Sequence, residues 1–161
     1  KGIYAAGDVA ETTDMLSGHR VVIAIWPEAL NQGRIAGLNM AGTRVKYDGS
    51  MAMNVTSVLG LPIASLGLWE VTDTKEYQIH TGLHEAKRTY RKLVFKDGKL
   101  VGAVLVGPNV NAEAGILHNF IRSQQAFTVT QAQLTAGPIS WGRVLRDNKF
   151  AGGVSRPAAP A

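Results

Sequence analysis

The sequence predicts a mixed α+β protein: a strand and helix of the α/β kind, followed by an antiparallel sheet with helices. Three observations carry this reading. The chain opens on a short apolar run, Ile3-Tyr4-Ala5-Ala6, that stops abruptly at Gly7-Asp8. Trp26-Pro27-Glu28 opens a helical pattern that reaches Gly42. From about residue 46 the pattern changes to short strand-like runs, and Asp97-Gly98 between two of them is a strong hairpin signal.

The first run reads as a buried parallel strand that ends at a site. Gly7 permits close backbone approach. Asp8 puts a carboxylate at the strand's carboxyl end, where open α/β sheets bind ligands. A carboxylate there suits a sugar or polyol hydroxyl. The plainer alternative is a strand followed by an Asx-type turn, and spacing alone favours it. Residues 11–20 are polar and turn-prone, with Ser17-Gly18-His19 as the tip. Residues 21–25 read as a short buried run.

The helix from Trp26 is expected to end near residue 41, with Gly42 as its terminator. Pro27 fits the first turn because its N–H would have no partner, and Glu28 suits the positive end of the helix dipole. One face carries Ala29, Gly33, Ala36, Gly37 and Met40. Interior glycines each cost about 1 kcal/mol relative to alanine, so this face predicts tight helix–sheet packing. The N–H groups around Glu28 and Ala29 are expected to stay free for a carbonyl or an anion.

Residues 43–50 read as a connector with a turn at Asp48-Gly49. Residues 61–70 read as a strand with a proline-tolerant start, and residues 76–81 as a half-buried strand. Residues 90–95 and 100–106 flank the hairpin loop. Asn111 is expected to cap a helix whose apolar face is Ala114, Leu117, Phe120 and Ile121. A second short helix is expected from Pro138, carrying Trp141, Val144 and Leu145. From residue 150 the Gly- and Pro-rich sequence reads as a flexible tail.

Composition narrows the function classes. With 161 residues and 45% apolar content, the chain can bury a proper core. It has no cysteine, which excludes a disulfide framework, a thiolate zinc site and a redox dithiol. No apolar stretch is long enough for a membrane span, and no signal peptide opens the chain. The first residue is not Met, which points to part of a longer product. Net charge is +5. The basic cluster Lys87, Arg88, Arg91 and Lys92 reads as charge guarding a solvated strand edge. No zinc-finger, RNP or KH pattern accompanies it, so nucleic acid is rejected as the main partner. His80 and His84 lie four apart beside Glu85, but on strand-to-turn sequence they read as surface or hydrogen-bonded histidines, and no metal site is assigned. Glu70 and Glu76 carry no pairing signal. Trp26, Trp69 and Trp141 read as core or interface anchors. No nucleophile–His–acid set can be assembled, and no catalytic residue is assigned.

Two segments together carry a family resemblance. Ile3-Tyr4-Ala5-Ala6-Gly7-Asp8 resembles the second flavin-binding segment of the FAD-dependent pyridine nucleotide-disulfide oxidoreductases, an apolar strand followed by Ala-x-Gly-Asp. Some twenty residues on, that family places a helix that opens near the flavin, and the stretch from Trp26 through Gly33 and Gly37 to Gly42 is similar to it. The nearer relatives look like the NADH-dependent rubredoxin, nitrite and coenzyme A disulfide reductases. The resemblance implies that Gly7, Asp8, Val9, Trp26, Glu28 and Ala29 face FAD, with the helix start at the pyrimidine edge of the isoalloxazine. It implies NAD(P)H as the reductant of the intact protein and a cytoplasmic location. It also implies a C-terminal interface domain that pairs as a two-fold homodimer.

The family's opening Gly-x-Gly-x-x-Gly, its nicotinamide-binding domain and its redox cysteine are absent from this sequence. Residues 1–44 are therefore read as the last strand and helix of an FAD domain, residues 45–149 as the α+β interface domain, and residues 150–161 as a tail. The missing N-terminal FAD/NAD-binding part is the first expected partner, and the chain alone is expected to be inactive. The other reading is an interaction module that dimerises or docks an acidic electron-carrier protein, for which the positive charge is useful.

Overall fold

A computed structural model describes residues 2–126, together with Gln133 and Gly142. Apart from Gly142, the helix expected from Pro138 lies outside the described residues, as do Trp141 and the tail from residue 150.

The chain begins without regular structure. The buried strand expected at residues 3–6 does not form, and Ile3 is 95% exposed. A parallel strand inside a sheet needs neighbours to take its hydrogen bonds, and none of the described strands lies beside this run. Strands β1 (Thr12–Thr13) and β2 (Arg20–Val21) make a short antiparallel hairpin. Buried Asp14 shapes its loop: one carboxylate oxygen accepts from the N–H groups of Leu16 and Ser17, each at 2.8 Å. The run 21–25 is less buried than its composition predicts. Only Val21 is strand, and Val22 is exposed.

Helix α1 (Trp26–Met40) forms where expected, with proline in its first turn. Its end is a Schellman motif. The Thr43 N–H donates to the Leu38 carbonyl at 2.9 Å and the Gly42 N–H to the Asn39 carbonyl at 3.1 Å, with Gly42 at φ +91°. The small-residue face, by contrast, is unpacked among the described residues. A Cβ placed on Gly33 or Gly37 would meet nothing within 4 Å, and Met40 is exposed. The buried residues of α1 are Glu28 and Gln32 instead.

The rest is a five-stranded antiparallel sheet with one helix on it. Strands β3 (Met53–Val58), β4 (Leu61–Gly67), β5 (Gln78–His84), β6 (Thr89–Lys96) and β7 (Lys99–Val106) pair in the order β3-β4-β7-β6-β5. Helix α2 (Val110–Ser123) lies across β4 and β7. Its predicted face, Ala114, Leu117, Phe120 and Ile121, is buried against Leu66, Leu93, Leu100 and Leu105. The helix is capped two residues earlier than expected. Asn109 holds the N-cap position without a side-chain cap bond, and Asn111 lies inside the helix.

The hairpin at Asp97-Gly98 is as predicted, with both loop residues left-handed. The sequence reading misses β3. Its Asn54, Thr56 and Ser57 dilute the apolar alternation, and the two-residue loop to β4 carries an exposed Leu59 before Gly60.

Arg91 does not belong to a solvated edge. β6 is an inner strand, and Arg91 points under α2 to Glu113 in a bidentate pair at 2.9 and 2.6 Å, with both side chains buried. Lys92 points to the other face and holds the crossing segment between β4 and β5 by donating to the carbonyls of Trp69 (2.9 Å) and Val71 (2.8 Å). That segment runs over Gly102, where a Cβ would lie 2.5 Å from the Leu68 carbonyl oxygen. Glu76, for which no pairing was expected, accepts from Lys96 and holds that ammonium above the usual lysine value.

Candidate functional site

The residues assigned to the cofactor are Gly7, Asp8, Val9, Trp26, Glu28 and Ala29. The structure brings the Gly7-Asp8 turn against the first two turns of α1. Gly7 sits at φ +85°, a backbone state that glycine enters without the Cβ penalty. A Cβ on it would lie 3.6 Å from that of Ala29. The Gly7 N–H donates to Gln32 Oε1 at 2.8 Å, and its carbonyl accepts from the Ala10 N–H at 2.9 Å. Asp8 is exposed, and among the described residues its carboxylate has no hydrogen-bond or ion-pair partner. Val9 and Trp26 are also exposed, Trp26 at 77%. Trp26 is thus not a core residue of the described chain.

At Glu28 and Ala29 the expectation of free backbone donors is not met. Their N–H groups are not free, because both donate to the Ile25 carbonyl, at 3.1 and 3.0 Å. The Glu28 side chain turns inward and is buried. One carboxylate oxygen accepts from the Tyr47 hydroxyl at 2.8 Å. The other accepts from the Met51 N–H at 3.4 Å and lies 3.5 Å from the Arg122 guanidinium. Glu28 therefore ties the start of α1 to the end of α2.

Around it lies a polar seam that the sequence reading does not identify. Gln32 Nε2 reaches the Tyr47 hydroxyl and Ser50 Oγ, each at 3.4 Å, and those two oxygens are 2.5 Å apart. The available signal was the spacing: Glu28 and Gln32 are one helical turn apart, on a face distinct from the small residues.

His118 stands one turn before Arg122 on α2. Its pKa lies below the usual histidine value, first because of burial and then because of the Arg122 charge, against smaller opposing effects of Asn119 and Glu28. A cleft of about 310 Å³ opens beside the seam, between Tyr4 and Ala5, Glu11, the middle of α1 and Tyr47. Asp8 and Trp26 do not line it.

His80 meets Phe95 edge-on at 5.6 Å, and His84 lies on the same strand about 13 Å away at strand rise. They do not form a metal pair, and no cluster of three or more potential metal ligands occurs among the described residues. No described helix is long and apolar enough to cross a membrane. Phe120 is in the core, as its place on the apolar face of α2 predicts, and Trp69 is 37% exposed.

The fold defines the class first: an antiparallel sheet covered by one helix, preceded by a glycine-locked turn and a helix with an open face. Residues 53–125 match the Rubredoxin NAD+ reductase C-terminal domain. The chain is 32% identical over 144 residues to the NAD(P)H sulfur oxidoreductase (CoA-dependent) of Pyrococcus abyssi, covering 79% of this chain and 32% of that protein. It superposes on an FAD-dependent pyridine nucleotide-disulphide oxidoreductase from Desulfovibrio vulgaris with a TM-score of 0.61, at 18% identity, over 76% of this chain and 32% of that one. On a covalent putidaredoxin reductase–putidaredoxin complex the TM-score is 0.66, at 20% identity, over 91% of this chain and 33% of that one. The chain belongs to the pyridine nucleotide-disulfide oxidoreductase family and corresponds to its C-terminal part. It spans about a third of the length of the P. abyssi relative.

Proposed function

We propose that this chain is the C-terminal part of an FAD-dependent NAD(P)H oxidoreductase, in which residues 1–44 complete the flavin site and residues 45–149 form an interface domain. The observation that carries the reading is Asp8: a carboxylate without partners among the described residues, set beside the exposed start of α1 on a turn held through both backbone groups of Gly7. Such a group fits FAD, because it can accept from a ribityl hydroxyl while exposed Val9 and Trp26 offer apolar surface to a ring. Bound FAD would supply the hydride and electron chemistry. Gly7, Asp8, Val9 and Trp26 would position it. Glu28 and Ala29 would contribute by shaping the helix start, since their N–H groups are already engaged.

NAD(P)H is the reductant proposed for the whole protein, and the missing FAD/NAD-binding part is the surface proposed to cover α1. Self-association is proposed for the sheet unit, where Val55, Val58, Leu59 and Leu83 leave apolar side chains exposed. Docking of an acidic electron carrier is the second reading, supported by the net charge of +5.

Asp8→Ala in the full-length flavoprotein tests the reading. A hydrogen bond to a charged group contributes roughly 1.5–3 kcal/mol, so FAD should bind about tenfold more weakly or worse. Unchanged flavin content after gel filtration would remove Asp8 from the site.

A further inference from the structure

The turn that carries Asp8 is held by a single side chain, and that side chain is itself held in one orientation. Gly7 is the residue whose backbone fixes the turn. Its N–H has one acceptor among the described residues, Gln32 Oε1 at 2.8 Å. An amide presents an oxygen on one side and two N–H donors on the other, so which end faces Gly7 depends on what the other end meets. Here it meets Tyr47 Oη and Ser50 Oγ, each at 3.4 Å, so each N–H of Gln32 has an oxygen.

The hydroxyls are ordered in turn by Glu28. The Tyr47 hydroxyl donates to the Glu28 carboxylate at 2.8 Å, so in the 2.5 Å contact the Ser50 hydroxyl is the donor and Tyr47 the acceptor. All donors then run one way, from Gly7 through Gln32 and Tyr47 to a buried carboxylate. A chain of this kind polarises along its length, and the anion at its end strengthens each link.

We propose that Gln32 is the positioning residue of the Gly7-Asp8 turn, with Tyr47, Ser50 and Glu28 fixing the direction in which its amide points. The inference deepens the flavin reading and rests on it for its functional half. Gln32 touches no reacting group in this scheme; it sets where the Asp8 carboxylate stands. Leucine at position 32 would leave the Gly7 N–H without an acceptor. Glutamate would keep an acceptor for Gly7 but lose both donations and place a second carboxylate beside the first. Phenylalanine at position 47 would break the relay at its centre and leave the Gln32–Gly7 bond in place but less well directed.

The test has two arms. In this chain, amide exchange of Gly7 reads the hydrogen bond directly, independently of any cofactor. Gln32→Leu should speed that exchange about tenfold or more, and Tyr47→Phe should speed it less, while amides of β6 and β7 stay protected. Unchanged Gly7 exchange in both variants would overturn the proposal. Should Gln32→Leu fail to fold, Tyr47→Phe alone decides this arm.

In the full-length flavoprotein, FAD affinity and the visible flavin band are measured for the same variants, with Asp8→Ala as reference. The expected result is about tenfold weaker FAD and a shifted band for Gln32→Leu, a smaller effect in the same direction for Tyr47→Phe, and partial retention for Gln32→Glu. Lower thermal stability with unchanged FAD affinity and an unchanged band would reduce Gln32 to a packing role and overturn its positioning role. If Asp8→Ala leaves FAD untouched, the flavin reading fails, and the exchange arm still decides whether Gln32 sets the turn.

Discussion

The two halves of the described chain are stabilised by opposite means. Up to Ser50, every buried side chain is polar: Thr12, Asp14, Glu28, Gln32 and Ser50. From Met51 onward the buried set is an apolar core, interrupted by Thr89 and by the Arg91–Glu113 pair. Apolar residues are not scarce in the first half. Ile3, Val9, Val22, Trp26, Leu30 and Met40 are all exposed. The second half hides its apolar atoms from water, which is what drives a domain to fold. The first half is instead fixed in place by directional bonds, with its apolar surface turned outward. The difference teaches that residues 2–50 leave apolar surface uncovered among the described residues, where the proposed FAD/NAD-binding part would sit. The sheet unit buries an apolar core, against which only Met15 and Leu16 of the first half pack among the described residues.

The comparison breaks most readily in the second half. Glu113→Ala would leave the Arg91 guanidinium buried and unpaired, and breaking such a pair costs about 3–5 kcal/mol. Urea unfolding should show that loss as a lower midpoint with the slope unchanged. Replacing both partners by apolar residues of similar volume should restore most of the stability, because the cost lies in the orphaned charge.

A cut in the polar seam should be milder and local. Glu28→Ala removes acceptors from the Tyr47 hydroxyl and the Met51 N–H and strands Arg122. An unsatisfied buried partner costs about 1–3 kcal/mol. Hydrogen exchange should quicken across residues 7–50 while the amides of β6 and β7 keep their protection. Loss of protection in both regions together would mean that the two halves unfold as one unit.

The same end of the seam gives a pH signature. The folded pKa of His118 lies below its ordinary value of 6.5, through burial first and the Arg122 charge second. As pH falls, the unfolded chain takes up a proton before the folded one does. The stability associated with neutral His118 is therefore complete above about pH 6.5 and is lost as pH drops through the lowered folded value. His118→Gln should flatten that part of the stability profile. An unchanged slope between pH 7 and pH 5 in the variant would assign the titration elsewhere.

How much of this was legible in the sequence follows the same division. The Asp97-Gly98 loop, the α2 face and the ends of α1 were readable because each is set by local chemistry: a left-handed loop pair, a helical period, a proline and a terminating glycine. β3 was not, since an edge strand exposed on both faces beyond Met53 does not need a clean alternation. The fate of residues 3–6 was misjudged because a parallel strand is a property of its neighbours, not of its own four residues. At the candidate site, Gly7 and Asp8 were singled out by their resemblance to a flavin-binding segment, since spacing alone favours an ordinary turn. Gln32 and Tyr47 were not, because the relay crosses the α1–β3 connector and the one-turn spacing of Glu28 and Gln32 is its only mark in the sequence.

The sharpest test of the contrast is also the smallest in energy. Gly33 is a helical glycine with open space where its Cβ would be, so Gly33→Ala creates no clash in the described chain. Alanine is favoured over glycine in a helix interior by about 0.8–1.0 kcal/mol, and the variant of this chain should gain up to that amount, read as a higher midpoint in urea. In the proposed full-length flavoprotein the sign should reverse if the glycine face of α1 is where another domain packs closely. There the added methyl group would press on a neighbour, and overpacking of that kind costs typically 1–3 kcal/mol. A gain in both contexts would show that the α1 face stays open in the whole protein. The exposed Trp26, Leu30 and Met40 would then require another cover. A gain in the chain with a loss in the flavoprotein would locate the contact on the face that the first half leaves uncovered.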